Sequence, residues 1–144
     1  MDFFELEESI SNHIKGKFSK YLEEKQLLKP LFIKDNIDLD KYKSNLTVFF
    51  DFASFKFDNL SNESQLAKMT LDLYFVRRND TAEKLKKELC NYISKFYAWF
   101  YNDRTLGGIV DFGTIEEINN YDAASGDKGI KISQITITLE LEDD

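Results

Sequence analysis

Asp103-Arg104-Thr105-Leu106-Gly107-Gly108-Ile109-Val110-Asp111 decides how this chain folds. The stretch stands where an aromatic-rich helical pattern stops and a strand pattern begins. Gly107 and Gly108 permit positive φ and close backbone approach, which a sharp helix-to-strand reversal needs. Nothing in the stretch is chemically reactive.

Upstream of it, residues 80–102 read as a helix. At 100° per residue, Leu85, Leu89, Tyr92, Ile93, Phe96, Trp99 and Phe100 fill one arc, and Lys84, Lys87, Glu88, Asn91, Ser94 and Lys95 fill the solvent arc. Asp80 is the expected N-cap, with Glu83 completing a capping-box-like exchange and pairing with Lys87. Cys90, Tyr97 and Tyr101 fall on the flank between the arcs. They read either as boundary residues, the tyrosines with wet hydroxyls, or as part of a subunit interface, where Tyr is enriched.

Downstream, residues 109–118 and 130–141 read as strands joined through Ser125-Gly126-Asp127-Lys128-Gly129. Ile130 and Ile132 occupy even positions, whereas Ile135, Ile137, Leu139 and Leu141 occupy odd ones. One buried face cannot hold both sets, so a β-bulge is expected near Ser133–Gln134.

The first half also reads as a helix followed by strands, without an internal sequence repeat. Residues 3–28 carry apolar groups at helical spacing, from Phe3, Leu6, Ile10 and Ile14 to Leu28, and Pro30 limits the run. Residues 31–45 are a polar connection in which Phe32 and Ile33 are candidates for a short edge strand. In the strand over 46–55, Leu46, Val48, Phe50 and Phe52 share one face, and Phe49, Ala53 and Phe55 the other. A turn-rich loop over 58–64 leads to a strand over 65–77. There Met69, Leu71, Leu73 and Phe75 alternate with Thr70, Asp72 and Tyr74. The expected fold is α+β: a single domain over 1–144, in the order α-β-β-α-β-β, with a mainly antiparallel four-stranded sheet packed on two helices.

A length of 144 residues suits one domain with its own core. The formal charge of −7 argues against general nucleic-acid binding and against charge-driven membrane attachment. No run approaches the roughly 18 apolar residues of a membrane-spanning helix, and the acidic start does not read as a signal peptide. Cys90 is the single cysteine, which suggests a reducing, cytoplasmic site of synthesis. Aromatic residues make up 15% of the chain, more than a small core usually requires, which leaves some for contacts between subunits.

In its position after the second helix, Thr105-Leu106-Gly107-Gly108 resembles the turn of the tail terminator (tail completion) proteins of long-tailed bacteriophages. The strand pair over 46–76 and a final strand rich in Ile and Thr support the likeness; the long polar stretch at 34–45 departs from it. The resemblance implies a structural protein that assembles into a ring, usually of six copies, on the tail tube. The ring would stop polymerisation of the major tail tube protein and present a surface to the head–tail connector, and DNA would later pass through it. It would be made in the cytoplasm of a bacterial host and end in the virion tail, with no catalysis, cofactor, metal or membrane involved. In such a ring, the polar sheet residues Thr70, Asp72, Thr136, Thr138 and Glu140 are candidates for the lumen. Hydroxyls and carboxylates there would repel phosphate and let DNA slide.

Other readings are weaker. Asp35–Asp40 starts like a calcium loop but has Asp40 and Leu46 where an EF-hand needs Gly and Glu. His13 has no metal-ligand partner nearby in sequence and reads as a helix-surface or boundary residue. No phosphate loop, dinucleotide fingerprint or nucleophile elbow is present. The alternatives are a head–tail connector component of related fold and a small cytosolic module that uses the aromatic flank to bind a protein or a hydrophobic ligand.

Overall fold

Seven elements follow one another in a computed structural model that describes residues 1–34, 46–78, 82–122 and 130–143. They are α1 (Phe3–Glu24), β1 (Leu31–Lys34), β2 (Leu46–Asn59), β3 (Gln65–Arg78), α2 (Ala82–Tyr101), β4 (Phe112–Asp122) and β5 (Ile130–Asp143). The α+β class and the order of the main elements agree with the sequence reading. The four-stranded sheet does not: there are five strands, mixed, in the order β1-β2-β3-β5-β4. The extra strand contains Phe32 and Ile33 and lies parallel to β2, with Leu31 opposite Thr47 and Lys34 opposite Phe50. Asp35–Asp40, Asp80 and Ser125–Gly129 lie outside the described residues, as does the capping exchange expected of Asp80 with Glu83.

Both helices pack on one face of the sheet. Ile10, Ile14, Phe18 and Leu22 of α1 meet Phe96, Trp99 and Phe100 of α2 over Met69, Leu71, Leu73 and Phe75 of β3 and Ile135, Ile137 and Leu139 of β5. Phe96 is central, with ring centroids 5.2 Å from Phe18, 5.8 Å from Phe75 and 5.9 Å from Phe100. Burial of these apolar groups is the main term holding the layers together.

Helix α1 starts where Asp2 accepts the Glu5 N–H. It ends at Glu24, four residues short of the reading from periodicity. Gln26 adopts φ 61°, and the Gln26 and Leu27 N–H groups donate to the Glu23 and Leu22 carbonyls, a Schellman closure with Gln where Gly is usual. Leu28, read as part of the helical stripe, is instead exposed.

The bulge expected in β5 is absent: β5 pairs with β3 without a register shift from Ile130 to Asp143. Both parities of its Ile residues are used because both sheet faces bury apolar groups. Ile130 and Ile132 join Phe49 and Val76 in a second cluster on the reverse face, with Ile33 and Tyr74 alongside. The bulges fall elsewhere, between Phe52 and Ser54 in β2 and between Ile115 and Glu117 in β4. The β2 bulge corrects a second expectation. It returns Phe55 to the helix-covered face, opposite Met69 and 4.8 Å from the Phe3 ring.

The Asp103–Asp111 reversal holds three successive residues at positive φ: Leu106 (50°), Gly107 (68°) and Gly108 (91°). Side chains lock it. Asp103 accepts the Gly107 N–H at 2.9 Å through one carboxylate oxygen, and through the other it bonds His13 of α1 at 2.6 Å. Thr105 accepts the Gly108 N–H through its hydroxyl and the Val110 N–H through its carbonyl. Leu106 is fully buried in the core. Arg104 donates to the Gly113 carbonyl, and Asp111 donates its N–H to the Glu140 carbonyl, so the chain leaves the turn already paired to the sheet.

Two substitutions separate conformational strain from crowding. A Cβ at Gly107 would sit 2.8 Å from His13 Cε1, whereas one at Gly108 would meet nothing within 4 Å. Gly108→Ala should cost the left-handed penalty alone, roughly 1–2 kcal/mol, and Gly107→Ala clearly more. Gln26→Gly should act in the opposite sense, stabilising by about 0.5–1 kcal/mol after the entropy of the extra glycine is set against the relieved strain. Urea unfolding of the three variants measures the order directly.

Candidate interaction surfaces

The reverse face of the sheet carries residues in rows that cross four strands. Ser54, Thr70, Thr138 and Thr114 form one row of hydroxyls on β2, β3, β5 and β4. The adjacent row is Asp51, Asp72, Thr136 and Glu117, and beyond the hydroxyl row lie Lys56, Lys68, Glu140 and Phe112. The five sequence candidates Thr70, Asp72, Thr136, Thr138 and Glu140 therefore share one face and neighbouring rows. Sequence reasoning missed the flanking members. Ser54 and Lys56 reach this face only because the β2 bulge reverses the parity of the strand, and the β4 bulge similarly places Glu117 beside Thr136.

Asp51 and Asp72 are direct cross-strand neighbours. Asp72 is buried and accepts the Thr136 hydroxyl at 2.6 Å. Partial burial, reinforced by the Asp72 charge, raises the Asp51 carboxyl above its ordinary value of 3.8. At the hairpin end, Lys68 approaches Asp58 at 3.4 Å. The face is thus a band of hydroxyls bordered by carboxylates, with two lysines at one end.

The flank of α2 forms a second surface. The Tyr97 and Tyr101 rings lie 4.7 Å apart, and Tyr97 is exposed. The Arg104 guanidinium is stacked between Tyr101, at 4.8 Å, and Phe112, at 4.0 Å. Arg104 and Phe112 were not singled out from sequence; stacking brings them beside the tyrosines once the turn folds β4 back along α2. Cys90, also exposed, lies further along the same helix flank. It lines a cleft of about 230 Å³ with Lys86, Leu89, Asn120, Lys131, Ile132 and Ser133. Glu88, expected in solvent, instead receives two hydrogen bonds from Arg77 of β3.

Thr105, Leu106, Gly107 and Gly108 form the turn described above and contribute structure rather than a binding group. Among the described residues, no helix is long and apolar enough to cross a membrane. No protein-family model matches the chain, and no curated protein is significantly similar to it.

Opposed carboxylates in neighbouring strands destabilise a sheet. Asp51→Asn should therefore raise stability at neutral pH by about 0.5–1 kcal/mol on the scale of such pairs. Because the folded-state value is raised, the native chain takes up this proton more readily than the unfolded chain. The penalty is complete above the raised value, declines as pH falls through it, and disappears below 3.8. Thermal melts across that range should show the advantage of the Asn variant shrink with acidity.

Proposed function

We propose that this chain is a tail terminator of a long-tailed bacteriophage or prophage. It acts by assembling into a ring that caps the tail tube, ends its growth and offers a surface to the head–tail connector. The observation that carries the reading is the segregation of the two sheet faces. Both helices cover one, and the other presents the hydroxyl row and the Asp51, Asp72, Glu117 and Glu140 carboxylates.

In a ring, the helix-covered side supplies rigidity and the polar side can face the hole. DNA crossing such a hole meets carboxylates that repel its phosphates and neutral hydroxyls that offer no charge to hold them. Lys56 and Lys68 interrupt this wall at the hairpin end, with Glu140 in the same row as both. The function needs shape and self-association, with no covalent chemistry, and it places the protein in the host cytoplasm during assembly and in the virion tail afterwards.

A second reading rests on the cleft beside Cys90, whose mixed lysine and apolar lining suits a small amphipathic ligand or a peptide. The two readings predict different partners. Under the first, purified protein co-sediments with polymerised tail tubes, and particles made without the gene carry tails of uncontrolled length. Tails of normal length in the deletion would overturn the terminator reading. Ligand binding in the cleft together with no tube binding would establish the second.

A further inference from the structure

We propose that copies of this chain associate head to tail, with the acidic β4 edge of one copy seated against the basic α1–β1 side of the next. The inference rests on the ring reading for its purpose and names the two sides that would meet.

The sheet order puts β4 and β1 at opposite ends. Residues 111–122 contain no Lys or Arg, and Asp111, Glu116 and Glu117 are exposed along them. The β4 bulge lies at these two glutamates. Apolar area accompanies the charge: Phe112 is 44% exposed, Ile118 37% and the neighbouring Tyr97 51%.

The opposite side has the opposite character. Lys15, Lys20 and Lys29 line a shallow groove between α1 and β1, with Ser19, Glu23 and Phe32. Glu23 is engaged by Lys29 at 2.6 Å. Lys15 and Lys20 are exposed and carry no ion pair among the described residues. Leu28 and Leu31 are exposed beside them and supply apolar area. Each side thus offers what the other lacks.

The charges also select the symmetry. A two-fold contact of β4 with its own copy would bring Glu116 and Glu117 of both chains together, which opposes pairing. Two α1–β1 sides would oppose lysine to lysine. Only the unlike sides attract, and a contact between unlike sides is heterologous. It continues from copy to copy until it closes a ring or extends as a fibre. A dimer is not its natural end point.

Directed cross-linking tests the geometry. In a Cys90→Ser background, one chain carries Glu116→Cys on β4 and another carries Lys20→Cys on α1; a Glu63→Cys chain at the exposed β2–β3 loop serves as control. Mixed and oxidised, the Glu116→Cys and Lys20→Cys chains should form a disulfide-linked heterodimer faster than either links to itself or to the control. The expected margin is on the order of tenfold at low ionic strength, declining with added salt. A single chain carrying both substitutions should give a ladder extending past the dimer. Faster self-linking of the Glu116→Cys chain, or no preference over the control, would overturn the proposal. Tube co-sedimentation is read separately, so a failed edge contact and a failed terminator function give different patterns.

Discussion

Three consecutive residues in the left-handed region, Leu106 to Gly108, form the constraint on which the rest of this structure depends. The chain must leave α2, which lies over the sheet, and enter β4 at the sheet's far edge. A left-handed turn does this in few residues, and only two of the three are glycine. Leu106 bears a conformational cost of about 1–2 kcal/mol. Its burial contributes roughly 1.5–3 kcal/mol, enough to offset the strain. Asp103 fixes the turn from one side through the Gly107 N–H and ties it to α1 through His13. Arg104 fixes it from the other through Gly113, where a Cβ would lie 2.7 Å from the Phe100 ring. The reversal is therefore held by both helices and by the strand it starts.

That constraint orders the two faces of the sheet. With α2 held over β3 and β5, the odd positions beneath it must be apolar, and Met69, Leu71, Leu73 and Phe75 of β3 and Ile135, Ile137 and Leu139 of β5 are. The even positions are released from the main core over most of their length and carry threonines and carboxylates. Near the start of β5 they become apolar again, at Ile130 and Ile132, and meet Phe49 and Val76. One unbulged strand thus serves a core on one face, and a polar band and a smaller cluster on the other.

The sequence was readable where a regular period met one buried face. The helical arc of α2 and the alternation in β3 fall within about two residues of the observed elements, because α2 buries one apolar stripe and Met69, Leu71, Leu73 and Phe75 of β3 fill one face of the main core. It misled where that premise failed. The parity switch between Ile132 and Ile135 suggests a bulge only if one face is buried; here both are. The two real bulges, at Ala53 and Glu116, each sit at a similar parity switch, Phe52 to Phe55 and Ile115 to Ile118, which alternation alone reads equally well as apolar groups on two faces. Phe55 therefore lies on the face opposite to the one simple alternation gives it. The His13–Asp103 contact spans 90 positions and joins residues with no local motif, so nothing short of the fold could pair them. The polar candidates on β3 and β5 were legible because simple alternation places them. Arg104 and Phe112 were not, since their stacking on Tyr101 depends on the turn.

The head-to-tail assembly proposed above would have to overcome general repulsion between copies, since the chain carries a net charge of −7. Uniformly spread, that charge would oppose every orientation alike. Here the acidic residues of one sheet edge face away from the lysines beside α1, so the repulsion depends on direction. At physiological salt the screening length is about 8 Å, which leaves contacts between facing edges effective while muting the rest of the surface. Orientation is then chosen by the edges and tolerated by the remainder. In the proposed head-to-tail contact, the same glutamates that guard β4 against indiscriminate strand pairing would also select the neighbour it accepts. Protection and specificity are two consequences of a single placement of charge, made possible by a bulge that holds Glu116 and Glu117 side by side on the exposed edge.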